Sequence, residues 1–201
     1  MTVIEVQNPG LYGQLREPST DAWLIAVLAD FNAFLQDHAA NERKASAMAM
    51  SMVAHYPDKP DILNAMIDLA LEELNHFRQV VRLMQSLGLQ PAGDEKDLYV
   101  NGMRRHLRDG KEPYLLDRLL SAAVIEARGA ERFARIAAAN VSPQIQTFYS
   151  TLARSESNHH HLFVDLATIY FPKNEVNTRL EEWLDIEKTV LTGLTVRARL
   201  H

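Results

Sequence analysis

The 201-residue chain contains no cysteine. That absence excludes disulfide frameworks, zinc fingers, iron–sulfur clusters and thiol nucleophiles, and it is compatible with a reducing compartment. Glycine and proline are sparse, at eight residues each, which suits an α-rich globular protein better than a β-sandwich or a disordered chain. No run of 18 apolar residues free of charge occurs, so no membrane span is expected. The opening Met1-Thr-Val-Ile-Glu-Val lacks a basic region followed by an apolar run, so no signal peptide is expected and the default location is the cytoplasm. Positive charge is also short: 21 Lys and Arg against 26 Asp and Glu give a net charge of -5. This argues against a uniformly basic nucleic-acid binder while leaving room for a local basic patch. What the chain has in quantity is apolar side chains, 47% of residues, enough at this length to bury a core without cross-links.

Those apolar residues recur with helical period. The pattern predicts a first long helix over about 21–56, with Ser19, Thr20 and Asp21 as cap candidates and Pro57 as its stop. A second helix begins near Pro60 and ends before Gly88, and a third runs from Pro113 to about Asn140. A fourth follows a Ser142 cap and ends before Pro172, and a fifth covers about 175–197. Short loops make two antiparallel hairpins. The long link from Gly88 to Glu112 holds a short helical stretch at about 99–108, and residues 2–6 alternate like a strand and read as a tail. Two hairpins joined by one long crossover is the connectivity of a ferritin-like four-helix bundle. The expected fold is therefore all-α: a single domain over 1–201, its bundle at about 20–171, with an extra C-terminal helix. An ordinary helical bundle without a cofactor would have the same helix lengths, so the chemistry must be read from the seams.

Stepping by four and three along the second helix gives Ile62, Met66, Leu69, Glu73, His76, Val80, Leu83 and Leu87. Only Glu73 and His76 are polar. Adding 83 to each number gives Ile145, Tyr149, Leu152, Glu156, His159, Phe163, Leu166 and Tyr170. The first helix gives Leu24, Leu28, Phe31, Leu35, His38, Glu42, Ala45, Ala49 and Met52, and the third Leu115, Leu119, Ala122, Glu126, Gly129, Phe133 and Ile136. Glu42 and Glu126 are 84 apart, one more than the other pair, a difference absorbed by one residue in a turn. The chain is thus a pseudo-repeat of a hairpin, each copy carrying one inward Glu and one inward Glu-x-x-His.

An isolated ionised carboxylate in a bundle core is very costly, and four at one level also repel. A pair of divalent or trivalent cations removes that cost. Glu and His at i and i+3 share a helix side and can reach one metal. Four Glu and two His form the di-iron or di-manganese carboxylate constellation, whose hard oxygens and imidazoles suit iron or manganese. The metal ligands expected are Glu42, Glu73, His76, Glu126, Glu156 and His159.

Other residues have two readings. His38, one turn before Glu42, is read as a hydrogen-bonded core histidine, with a catalytic or supporting role as the alternative. His160 and His161 lie about 100° and 200° further round the helix than His159 and are read as surface or supporting groups. Glu72 and Ser155, each preceding a ligand Glu, are placed to orient an imidazole or to face solvent. Ala45 and Gly129 leave room beside the metals for dioxygen and a substrate tip, or let the helices pack closely. Arg104, Arg105, His106, Arg108 and Lys111 cluster in the crossover, and Arg128, Arg132 and Arg135 share a helix face. They read as phosphate contacts or as solvated charges.

Around these ligands the wording is more specific. Asp37-His38-Ala-Ala-Asn-Glu42-Arg-Lys-Ala, Glu72-Glu73-Leu-Asn-His76-Phe-Arg-Gln-Val, Ile125-Glu126-Ala-Arg-Gly-Ala-Glu-Arg-Phe-Ala, the Arg154-Ser-Glu156-x-x-His159 segment and Tyr99-x-x-Gly102-Met103 resemble the tRNA 2-methylthio-isopentenyl-adenosine hydroxylases. The resemblance covers about Trp23 to Tyr170. It implies a non-haem di-iron monooxygenase that uses dioxygen as co-substrate to hydroxylate the isopentenyl chain of a modified adenosine beside the anticodon. It also implies tRNA as partner substrate, with Arg104, Arg105, Arg108, Lys111, Arg128 and Arg132 as candidate contacts. No cysteine-ligated electron-transfer module is visible, so an external electron-donor protein is expected. The alternatives on the same metal motif are a rubrerythrin-like peroxidase, a manganese catalase and a non-enzymatic iron store.

Overall fold

A computed structural model describes residues 14–201 of the chain; the strand-like residues 2–6 lie outside the described residues. Among the described residues there are seven helices and no strand. They fall into two compact units. One comprises residues 19–98 and 194–201, the other residues 99–193 with the preceding segment up to Pro18.

In the first unit the expected long helix is two: α1 (Asp21–Ala29) and α2 (Phe31–His55). Asp30 breaks the run at φ -137°, ψ 67°, and its carboxylate accepts from the Ala33 N–H to cap α2. The break changes the helical phase. Leu24 and Leu28, chosen by running the α2 seam backwards, are left partly exposed or exposed, and Trp23 and Val27 are buried instead. Thr20 caps α1 by accepting from the Trp23 N–H. α3 (Pro60–Ser86) starts on a proline, whose fixed φ and missing N–H suit a first turn. It ends in a Schellman motif: Gly88 at φ 74°, its N–H on Gln85 O, and the Leu89 N–H on Met84 O. Ser46 of α2 bonds the Ala70 carbonyl of α3, and Glu42 meets Glu73 and His76. Numbers that rise on one helix as they fall on the other mark an antiparallel hairpin. The tail returns to this unit: Trp23 Nε1 donates to Arg199 O at 2.9 Å, and the Leu200 N–H donates to Asp37 Oδ2 at 2.7 Å.

The second unit holds nearly all of α4 (Leu98–Arg104), then α5 (Lys111–Ala138), α6 (Pro143–Tyr170) and α7 (Lys173–Thr192). α7 starts and stops a few residues before the span expected from sequence. Ser142 caps α6 by accepting from the Ile145 N–H. Phe133 against Tyr149, with ring centroids 5.4 Å apart, again records antiparallel pairing. α7 packs along α5 and buries Val176, Leu180, Trp183, Leu184 and Glu187. Under it lies an ionic core. The Arg128 Nε donates to Glu187 Oε1 at 2.8 Å, and Tyr99 OH donates to the same oxygen at 3.1 Å. Asp117 is a second buried anchor. It accepts from the Arg108 backbone N–H at 2.8 Å, from both the Arg108 and Arg179 guanidiniums, and from Trp183 Nε1.

Candidate metal centre

Each hairpin brings its own three expected ligands together. In the first unit one donor atom from each of Glu42, Glu73 and His76 lies within 4.8 Å of the others. Glu73 Oε2 is 3.4 Å and Glu42 Oε2 3.8 Å from His76 Nδ1. In the second unit Glu126, Glu156 and His159 satisfy the same 4.8 Å limit, with His159 Nδ1 and Glu156 Oε2 at 2.7 Å. Glu42, Glu73, His76, Glu156 and His159 are buried and Glu126 is half-buried. The seam rule works here because i and i+3 on one helix, and paired levels on two antiparallel helices, converge on one spot.

This donor set fits a metal. Carboxylates buried in walls of Met, Leu, Phe and Tyr are expensive to keep ionised unless a cation neutralises them. Oxygen donors with one imidazole per triad match hard first-row ions. His38 is wholly buried, and its Nε2 lies 2.5 Å from Glu42 Oε1, where it holds the carboxylate's orientation as supporting hydrogen bonds around metal ligands do. Glu72 Oε1 is 3.9 Å from His76 Nε2, at the unit's surface.

Gly129 is buried, yet a Cβ built on it meets nothing within 4 Å. Open space therefore lies one turn beyond Glu126, as the small residue suggests.

Three expectations are corrected. Arg128 and Arg132 are buried, not displayed on a helix face. Arg128 is locked to Glu187, Glu131 and the Glu17 carbonyl. Burial alone would lower its pKa, but the Glu187 hydrogen bond and charge raise it above the ordinary value. Burial, then the Arg128 charge, push Arg132 down to about 10, which still leaves it a cation at neutral pH. A guanidinium enclosed in this way cannot reach a phosphate. His160 is also wholly buried, which removes its surface reading and leaves the supporting one, and burial with the neighbouring His161 and His159 pushes it down to about 4. Of the remaining basic candidates, Arg104, Arg105, Arg108 and Lys111 are exposed, though Arg108 is engaged with Asp117.

Sequence reasoning missed Glu187 and Asp117. Glu187 had a signal: Leu180, Trp183, Leu184 and Glu187 step by three, one and three along an apolar stripe. Asp117, between Leu116 and Arg118, had no comparable signal, because its partners come from distant segments.

A relative from Pseudomonas putida, a tRNA 2-(methylsulfanyl)-N(6)-isopentenyladenosine(37) hydroxylase, is 39% identical over 184 residues, covering 92% of this chain and 89% of its own. A protein of the same name from Salmonella typhimurium is 30% identical over 165 residues. That match covers 82% of this chain but 60% of the longer relative. Among solved structures, a Synechococcus protein described as having aldehyde deformylating oxygenase activity superposes with a TM-score of 0.89 at 34% identity, over 93% of this chain and 94% of that one. The fold is accordingly all-α and ferritin-like. The family model for tRNA-(MS[2]IO[6]A)-hydroxylase (MiaE) matches residues 9–201, and with both triads in place the chain belongs to that family.

Proposed function

We propose that this chain hydroxylates the isopentenyl side chain of 2-methylthio-isopentenyl-adenosine in tRNA, beside the anticodon, using dioxygen and two iron ions. The observation that carries it is the twin set of inward Glu and Glu-x-x-His residues in a chain of the MiaE family. Glu42, Glu73, His76, Glu126, Glu156 and His159 would hold the iron. The metals supply dioxygen activation, which no side chain provides. The balance is one C–H bond, one dioxygen, two electrons and two protons giving one C–OH and one water.

The chain's own residues do the remaining work. The carboxylates offset the metal charge, and His38 fixes Glu42. The apolar seams exclude water and accept a prenyl chain, for which the space at Gly129 is suited. The electrons are supplied by a donor protein. Exposed Arg104, Arg105 and Lys111 are placed to meet tRNA phosphates. The aldehyde activity named for the Synechococcus protein, at 34% identity, shows that fold alone does not set the substrate; the family match favours tRNA. No helix among the described residues is long and apolar enough to cross a membrane.

The test is nucleoside analysis of tRNA from a strain lacking the protein, complemented with the unmodified chain or with Glu73→Ala or Glu156→Ala. The hydroxylated nucleoside should vanish, return with the unmodified chain, and stay more than about a hundredfold down with either variant, since loss of a ligand exceeds the 10–100-fold effect of a supporting residue. The purified variants should lose iron and keep helicity. Persistence of the nucleoside in the deleted strain would overturn the assignment.

A further inference from the structure

The inner side of α3 presents Glu73 and His76. Its outer side carries Ile67, Leu71 and Leu74, which are 39%, 64% and 50% exposed. At i, i+4 and i+7 they form one row about 10 Å long. Single exposed apolar residues are ordinary on a protein surface, but a contiguous row marks an interaction site. Two further exposed residues, Arg78 and Arg82, continue the row at four-residue steps. It is therefore apolar at one end and cationic at the other, with Asp68 and Glu72 along one flank.

The internal repeat supplies the control. Adding 83 carries Ile67, Leu71 and Leu74 to Ser150, Arg154 and Ser157 of α6, and Arg78 and Arg82 to His161 and Asp165. α6 buries the same seam and presents the same Glu and His pair with polar residues at these matching outer positions. Neither folding of the hairpin nor holding of the metal requires apolar residues outside, so those on α3 serve something else.

We propose, resting on the hydroxylase reading above, that this face of α3 docks the electron donor, a one-electron carrier protein with an acidic surface beside an exposed apolar patch. Glu72 borders the row, and its carboxylate lies 3.9 Å from His76 Nε2. The row therefore runs beside an exposed side chain that reaches His76 of one triad. Two electrons cross per turnover, one at a time, from donor to enzyme, and both end in the reduction of dioxygen. Three apolar side chains on two turns fall far short of the roughly 800 Å² per partner of a stable interface, whereas transient redox encounters are small. The cationic end suits an acidic carrier.

The probe is a plant-type [2Fe–2S] ferredoxin with its NADPH-dependent reductase. One variant carries Ile67→Ser, Leu71→Ser and Leu74→Ser; a second carries Arg78→Glu and Arg82→Glu. Titration calorimetry should show the ferredoxin Kd rising at least tenfold for the serine variant, in metal-free and iron-loaded protein alike. The charge-reversal variant should lose more affinity at low salt than at high salt. Helicity, iron content, tRNA affinity and a single turnover driven by dithionite should match the unmodified protein, while the KM for ferredoxin rises. An unchanged Kd overturns the proposal. So does an equal fall in dithionite-driven turnover, a loss of tRNA affinity, or a dimer that the serine variant dissociates. If dithionite yields no hydroxylated nucleoside even in the unmodified protein, the hydroxylase reading fails while the Kd comparison still decides the docking face.

Discussion

The α2–α3 and α5–α6 hairpins are two versions of one design. Their inner seams agree at the Glu and His positions: Glu42 with Glu126, Glu73 with Glu156, His76 with His159. Outside they part. α5 lies under α7, and the position of Arg128 in its buried bond to Glu187 is taken in α2 by Lys44, which reaches the Glu95 carbonyl at an exposed edge. Asp117, the second buried anchor of α5, corresponds to Ala33. One inner difference remains, where Gly129 corresponds to Ala45. The Glu and Glu-x-x-His pattern is common to the inside of both copies, while the outside of each follows what covers it.

The sharpest way to break this comparison is to strip one cover. Glu187→Leu leaves buried Arg128 without its main partner, and removing one side of a buried ion pair costs about 3–5 kcal/mol. Lys44→Ala at the matching surface position should stay within about 0.5 kcal/mol. Urea unfolding of the two variants measures both, and equal effects would mean that α7 does not stabilise α5 in this way.

A smaller effect separates the halves by pH. Burial raises the Asp117 pKa, but hydrogen bonds from Arg179 and Arg108 outweigh it and hold the carboxyl below its ordinary value of 3.8. A depressed folded pKa contributes stability above the ordinary value and loses it as pH falls through the folded one. Asp117→Asn should therefore flatten the acid limb below about pH 4 and lower neutral stability by about 1.5–3 kcal/mol, the scale of hydrogen bonds to a charged group. A thermal-denaturation series from pH 3 to 7 would show it. An unaltered acid limb would remove Asp117 from the explanation.

The smallest change makes the halves alike. Gly129→Ala copies Ala45, its Cβ meets no atom within 4 Å, and helix propensity favours Ala by about 1 kcal/mol. Stability should rise while product formed per dioxygen consumed falls, because the added methyl occupies the space assigned to the substrate. An unchanged ratio would place the prenyl chain elsewhere.

How much of this was legible in the sequence follows the same division. Pro60, Ser142 and Gly88 are local signals that the structure uses as read, and the seams hold except at Leu24 and Leu28, before the Asp30 break, and at Leu87, which is 47% exposed where α3 ends. The Asp30 break was hidden because Asp is tolerated inside an amphipathic pattern, and only its cap on Ala33 separates α1 from α2. Arg128 and Arg132 looked like surface groups because charge usually faces water. Their burial depends on partners such as Glu187, 59 residues away from Arg128, which periodicity cannot pair. The two Glu and Glu-x-x-His triads were legible because cost and period pointed to the same residues.

The tail that closes on Trp23 and Asp37 has a consequence for synthesis. About 96 residues separate Leu98 from Leu194, the gap between the two parts of the first unit. At ribosomal rates of about 5–20 residues per second this is on the order of 5–20 s. For most of that interval α1–α3 has left the ribosome while the Asp37 carboxylate, one residue before His38, still lacks the Leu200 N–H it accepts from in the finished protein. The helix turn that carries His38 and Glu42 is thus among the earliest to emerge and among the last to be fastened.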